Sequence, residues 1–326
     1  MRKTEQLVEE SSDYFAATKM KKFMITVLGR SVSSEQSSVV RDVILQHGFA
    51  IDSAEYLLPP ACLTKLSTAY ACLRINATGN SDEEQMRLAF LDLGHEQHLD
   101  IVIESESTYG RERRLIALDM DSTLIGIEVI DQLAKLAGVG EQVSRITESA
   151  MRGEIDFKQS FTRRLSLLRG LPESKVRELL ASIPLTDGAE VLIAGVKELG
   201  YRTAILSGGF TFVGKHLKAR LGIDHMFANE LEIVDGMVTG RVSGGIVDGQ
   251  RKKELLQAIA GEERIPLEQL VAVGDGANDL PMLGVSGMGI AFHAKPIVRR
   301  EARFAISSLG LDAILYLLSP GPVCRD

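Results

Sequence analysis

At 326 residues the chain is longer than one compact domain usually runs, so two or three domains are expected. Hydrophobic residues at 45% and charged residues at 25% suit a globular protein, and with no Trp and 5% aromatics its core must be mainly aliphatic. The net charge of -7 argues against nucleic acid as a partner and requires local positive groups to draw in any anionic substrate.

Residues 1–22 carry Glu9, Glu10 and Asp13 and no continuous apolar run, so they read as a loose tail rather than a secretory signal. No apolar stretch approaches the length needed to cross a bilayer, and no membrane partner is expected. Cys62, Cys72 and Cys324 are odd in number and lack metal-ligand spacing. A reduced, cytoplasmic protein follows as the expectation.

The first regular block spans 23–104. It reads as strand 23–28, helix 33–47, strand 49–58 ended by Pro59-Pro60, strand 69–76, helix 81–97 opened by Ser81, and strand 100–104. That β-α-β-β-α-β order is the ferredoxin-like pattern. The polar segment 105–114 reads as a linker. The second block, 115–326, opens on the apolar run Leu115-Ile116-Ala117-Leu118, which has the look of a buried parallel strand. From about 129 to 183 only helical periods appear, at 129–137, 141–152, 157–169 and 172–181. Strand and helix then alternate: strand 202–206, helix 211–221, a hairpin in 226–247 turning at Asp235-Gly236, helix 253–261, and strands 270–273, 287–292 and 303–306. The expected fold is an α/β Rossmann-like parallel sheet with a helical cap inserted after its first strand, preceded by an α+β domain.

The sharpest chemical signal is Asp119-Met120-Asp121-Ser122-Thr123 directly after that first strand. Ligands of open α/β sheets bind beyond the carboxyl ends of strands, and residues two apart on a strand end share a face. Two adjacent carboxylates need a shared proton or cation, and Mg²⁺ supplies the latter. An Asp can attack phosphorus while a neighbouring acid protonates the leaving alcohol. Three further pieces follow in order. Ser207-Gly208-Gly209 lies between a strand and a helix and suits phosphate oxygens. Lys252, flanked by Arg251 and Lys253, offers a cation that could neutralise phosphate and the attacking Asp. Gly274-Asp275-Gly276-Ala277-Asn278-Asp279 puts a second acid pair at another strand end, where Asp275 can complete a metal site and Asp279 support it.

These motifs, with Ala228-Asn229-Glu230-Leu231 and Gly289-Ile290-Ala291-Phe292-His293-Ala294-Lys295-Pro296, make residues 115–318 resemble the phosphoserine phosphatase family of the haloacid dehalogenase-like superfamily. The resemblance implies Asp119 as nucleophile and Asp121 as general acid/base, with Mg²⁺ held by Asp119, the Asp121 carbonyl and Asp275. It implies phosphate contacts from Ser207, Gly208 and Lys252, with Asn278 near the substrate. Glu128 falls where the family meets the amino group of O-phosphoserine and Arg164 where it meets the carboxylate. Arg163 competes with Arg164, but neighbours on a helix point apart and only one can face the site. The implied reaction is hydrolysis of O-phospho-L-serine to L-serine and phosphate, the last step of serine biosynthesis. His293 and Lys295 receive no catalytic role, and Asp248 reads as a turn or cap residue.

The first block is similar in element order to the ACT-type amino-acid-sensing domains, with Gly29-Arg30-Ser31-Val32 at the strand-to-helix turn where such domains often bind. A regulatory module, a homodimer through this block, and a packing domain without ligand all fit that order. Two rival functions stay open: a phosphotransferase or phosphatase for another small phosphoester, and an amino-acid sensor whose second block is secondary.

Overall fold

The apolar runs sort into two sheets. The computed structural model describes residues 20–60, 69–80 and 82–318. Cys62, Cys324, Ser81 and nearly all of the expected tail fall outside them.

The first sheet is built from β1 (Lys21–Gly29), α1 (Ser34–Gln46), β2 (Ala50–Leu57), β3 (Ala71–Gly79), α2 (Glu83–Gln97) and β4 (Asp100–Ser105). Its order is β2-β3-β1-β4 with every pair antiparallel, the ferredoxin-like arrangement expected from the element order. Helix α1 starts at a capping box in which Gln36 N donates to Ser33 Oγ at 3.1 Å and Ser33 N donates to Gln36 Oε1 at 2.9 Å. Helix α2 is capped by Asp82, whose carboxylate accepts from Glu84 N at 2.9 Å. The helices cover one face of the sheet and bury Ile25, Ile44, Ile75, Met86 and Phe90 against it.

In the second block β5 (Leu115–Leu118) leads into four helices, α3 (Val129–Leu136), α4 (Gly140–Met151), α5 (Phe157–Ser166) and α6 (Glu173–Leu180). Alternation resumes with α7 (Ala189–Glu198), β6 (Arg202–Phe210), α8 (Thr211–Leu221), β7 (His225–Val234), β8 (Met237–Ser243), α9 (Gly249–Glu263) and β9 (Leu270–Gly274). It closes with α10 (Leu280–Val285), β10 (Met288–Phe292), α11 (Pro296–Glu301), β11 (Phe304–Ile306) and α12 (Ile314–Leu318). The strand order is β11-β10-β9-β5-β6-β7-β8, parallel except for β8. Strands β5 and β9 are buried at every residue, which is why they read as unbroken apolar runs. Asp235 and Gly236 both adopt positive φ, 52° and 75°, the geometry that closes β7 onto β8 in a two-residue turn. Helix α7 was not anticipated, although its buried Ala189, Leu192, Ile193 and Val196 fall at the i, i+3, i+4, i+7 spacing of one helical face.

The two blocks share one apolar cluster, in which Leu28, Leu57, Tyr70 and Val102 join Phe304, Ile314 and Tyr316. Buried polar groups are paired across the seam. Tyr70 Oη donates to Asp312 Oδ1 at 2.8 Å, and the Asp100 carboxylate accepts the N–H groups of Ser307, Ser308 and Leu309. Segment 105–114, expected as a linker, is packed rather than free: Thr108 and Arg113 are buried, and Arg113 donates to the Glu268 carbonyl.

The four helices α3 to α6 form the cap. It leaves and re-enters the core beside itself, where Ile125 bridges Leu185 and Gly126 N donates to Pro184 O at 3.1 Å. The β7–β8 hairpin leans against it through backbone bonds, Gly170 N to Val238 O at 2.8 Å and Val238 N to Leu171 O at 2.9 Å.

Candidate active site

The chain runs from β5 to β6 on one side and returns to β9 on the other, so a crevice opens beyond the carboxyl ends of these three strands. Asp119 sits at the end of β5, still tied to β9 by a 2.9 Å bond from its N–H to Val273 O. Its Oδ1 accepts from Met120 N at 2.7 Å and lies 2.8 Å from Lys252 Nζ. Lys252, in the first turn of α9, is completely buried, and its ammonium also lies 2.7 Å from Asp279 Oδ1. A buried charge survives only when paired, and here one cation joins the acids of two strand ends. Burial alone would push the Lys252 ammonium down; Asp119 and Asp279 outweigh it and hold it above the ordinary lysine range. Asp279 is fixed in turn by Gly276 N, which donates to its Oδ2 at 2.9 Å.

Asp121 follows two residues on, with Oδ1 buried and without a hydrogen-bond partner. Burial, then the charges of Glu128 and Asp119, push its carboxyl well above the usual range. A neutral acid beside a carboxylate suits proton donation. Burial and Asp279 likewise push Asp119 up, with Lys252 pulling the other way. Asp275 receives the Thr123 hydroxyl at 3.0 Å, and burial, Asp279 and Glu128 raise its carboxyl to about 7.

Carboxylate oxygens of Asp119, Asp275 and Asp279 lie within 4.8 Å of one another. Within this cluster Asp119 and Asp275, both raised by burial and by neighbouring acids, offer carboxylate oxygens that a hard divalent cation fits. Asp279 spends Oδ1 on Lys252 and Oδ2 on Gly276 N, whereas the contacts of Asp119 and Asp275 fall on Oδ1, which leaves these two as the freer ligands.

On β6, Ser207 Oγ is buried and accepts from Gly209 N at 2.8 Å. The Gly208 carbonyl accepts from Asn229 Nδ2 at 2.7 Å, while Asn229 Oδ1 accepts from Val247 N at 2.8 Å. Sequence reasoning quoted Asn229 only as wording; it is a buried clamp that ties the β6 loop to the approach to α9. Gly209 was also passed over. A Cβ there would strike Asp121 Oδ2 and stand 2.7 Å from Met120 Cε, so only hydrogen fits beside the acid. Asn278 is half-buried in the turn ahead of α10, its carbonyl against Gly249 at the start of α9.

The cap contributes the rest. Glu128 stands at the N-terminus of α3, and Ser122 Oγ donates to its Oε1 at 2.7 Å. Ser122 reaches this contact from a left-handed backbone, φ 57°, which is costly for a non-glycine residue. On α5 the two arginines separate: Arg163 is exposed, whereas Arg164 is half-buried with Nε fully buried and unpartnered. Phe157, also on α5, closes on the β6 loop; a Cβ on Gly208 would stand 2.8 Å from its Cζ. His293 Nε2 contacts Leu309 O at 2.8 Å, a structural bond.

The sequence profile of the haloacid dehalogenase-like hydrolases matches residues 116–284. The chain belongs to this family. Among the family's members it resembles a phosphoserine phosphatase of Archaeoglobus fulgidus, 46% identical over 242 residues that cover 73% of this chain and 70% of the relative. A phosphoserine phosphatase of Mycobacterium tuberculosis is 37% identical over 324 residues, covering 95% of this chain and 74% of the relative. Among solved structures, a haloacid dehalogenase family hydrolase from Salmonella enterica serovar Typhi superposes with a TM-score of 0.79 at 30% identity, over 92% of this chain and 99% of its own. A substrate-bound phosphoserine phosphatase superposes with a TM-score of 0.60 at 44% identity, over 63% of this chain and 98% of its own. This hydrolase thus carries the N-terminal sheet in addition to the part that matches that shorter enzyme.

Proposed function

We propose that the chain hydrolyses O-phospho-L-serine to L-serine and phosphate. The observation that supports the substrate is that Glu128 is held by Ser122 close to the acids, while Arg164 on the cap helix α5 keeps a buried Nε without a partner. A zwitterionic amino acid needs one fixed anion and one fixed cation beyond its phosphate, and Arg grips a carboxylate through two parallel bonds. Similarity to several phosphoserine phosphatases at 37–49% identity supports the same substrate.

In this reading Asp119 attacks phosphorus, the bond to the seryl oxygen breaks, and Asp121 gives that oxygen its proton. Asp121 then takes a proton from the water that cleaves the aspartyl-phosphate and releases phosphate. Lys252, Ser207 and the Gly208 N–H hold phosphate oxygens, and Asn278 borders them. Asp279 keeps Lys252 in place. Mg²⁺ held by Asp119, Asp275 and the Asp121 carbonyl would offset the charge that gathers on the phosphoryl group. The cap excludes bulk water while the intermediate stands.

We read residues 23–104 and 115–326 as two domains joined by 105–114, with the cap at about 129–183. Action in the cytoplasm and self-association through residues 23–104 belong to the same reading. The buried free thiol of Cys72 and the absence, among the described residues, of any helix long and apolar enough to cross a membrane are consistent with it.

The test is phosphate release from O-phosphoserine with Mg²⁺ and with EDTA, beside Asp119→Asn and a panel of sugar and nucleotide phosphates. Release from phosphoserine that EDTA and Asp119→Asn abolish is expected. Turnover of other esters but not phosphoserine would keep the Asp119 chemistry and sink the substrate.

A further inference from the structure

Besides the buried packing of α5 on the core, in which the Phe161 and Phe210 rings stand 5.9 Å apart, three contacts at the edges of the cap stand out. Two are made of backbone hydrogen bonds: the crossing at Ile125 and Leu185, and the strip in which residues 170–173 run beside 236–238 of the hairpin. The third is made of side chains only and lies on the first turn of α5. There Phe157 packs against the Gly208 loop, and Lys158 Nζ lies 2.8 Å from Asp248 Oδ2. Backbone ladders break together and at high cost, whereas one partly solvated ion pair opens readily. Of these three the third opens at least cost when the cap admits phosphoserine and releases serine.

Asp248 is a telling partner. It is the N-cap of α9: its Oδ1 accepts from Arg251 N at 2.8 Å and its carbonyl from Lys252 N at 2.9 Å. The ion pair thus runs from the cap to the helix turn that carries the phosphate-facing lysine. Arg164 lies six residues along α5, on the rigid element that Lys158 anchors.

We propose that Lys158 and Asp248 form the latch of the cap, a pair of positioning residues that seats Phe157 and Arg164 over the site during each turnover. The inference rests on the phosphoserine reading for its kinetics, though not for the closure itself. Lys158 is 59% exposed and touches no reacting atom, so its loss leaves the acid chemistry intact.

The experiment is a double-mutant cycle with Lys158→Ala and Asp248→Asn; asparagine still caps the helix but loses the charge. Each single variant is expected to raise KM for O-phosphoserine about threefold to fivefold, with kcat held within twofold, and the double variant to add nothing further. Turnover of p-nitrophenyl phosphate, which lacks the groups that Arg164 and Glu128 would bind, should change less than twofold. Hydrogen exchange of α5 amides should quicken in Lys158→Ala while the amides of β5 and β9 stay protected. Additive effects, an equal loss on both substrates, or α5 exchange identical to wild type would overturn the latch. Failure of the wild-type protein to cleave phosphoserine would instead overturn the substrate, and the exchange measurement would still decide the latch.

Discussion

Asp279 Oδ1 lies 2.7 Å from Lys252 Nζ, and both side chains are wholly buried. The pair is the rigid part of the site, since Asp279 is held by Gly276 N and Lys252 reaches Asp119 from it. Removing one partner of a buried pair strands the other charge, which costs about 3–5 kcal/mol. Asp279→Ala is expected to lose that much in urea unfolding and most of its kcat. Asp279→Asn, which keeps an oxygen for the ammonium, should lose clearly less stability; equal losses in the two variants would contradict the pairing.

Gly209 has no room for a methyl group beside Asp121. A shift of an ångström in a reacting group can cost about a hundredfold in rate. Gly209→Ala should therefore lower kcat by about that factor while KM stays near wild type, with a stability loss of about 1–3 kcal/mol from the overpacking. A variant with normal kcat would show that the Asp121 carboxylate tolerates displacement.

The Asp275 carboxyl, raised to about 7 by burial and its acidic neighbours, gives a metal dependence with a definite sign. Below that value the metal-free protein holds a proton where a cation must bind, and above it the oxygen is free. The Mg²⁺ concentration for half-maximal activity should climb about tenfold per pH unit below pH 7 and level off above it. A flat Mg²⁺ requirement between pH 5.5 and 8 would count against Asp275 as a ligand.

Tyr70 and Asp312 bind the two sheets at 2.8 Å inside a shared apolar cluster. Tyr70→Phe leaves a buried carboxylate oxygen without that donor, which should cost about 1–3 kcal/mol. Because the cluster is continuous, unfolding by urea should remain one transition for probes in either block. Two separated transitions in wild type would show that the blocks melt independently.

What could be read from the residues alone followed their periodicity. Unbroken runs such as 115–118 and 270–273 give buried strands directly, and Asp235-Gly236 marks a turn by local chemistry alone. The acids and Lys252 were legible because each sits at a strand end or helix start, where a ligand is expected. The place of Gly209 beside Asp121 and the clamp of Asn229 were not, since neither a glycine nor a lone amide shows what the fold will bring against it. The seam between the sheets was equally silent: Asp100 and Asp312 are ordinary surface acids by composition, buried only because residues two hundred positions apart meet. The strip joining the cap to the β7–β8 hairpin was missed for the same reason, whereas helix α7 carries its signal locally, in the spacing of Ala189, Leu192, Ile193 and Val196.

Because the cap departs at Gly126 and returns at Pro184 side by side, the insertion behaves as a cassette. None of Asp119, Lys252 and Asp275 lies between those points, so one segment can be recombined without replacing the acids or the lysine. The 236–238 strip sets the condition on such a graft: a foreign cap must bring an edge that pairs with this hairpin, or the hairpin must travel with it.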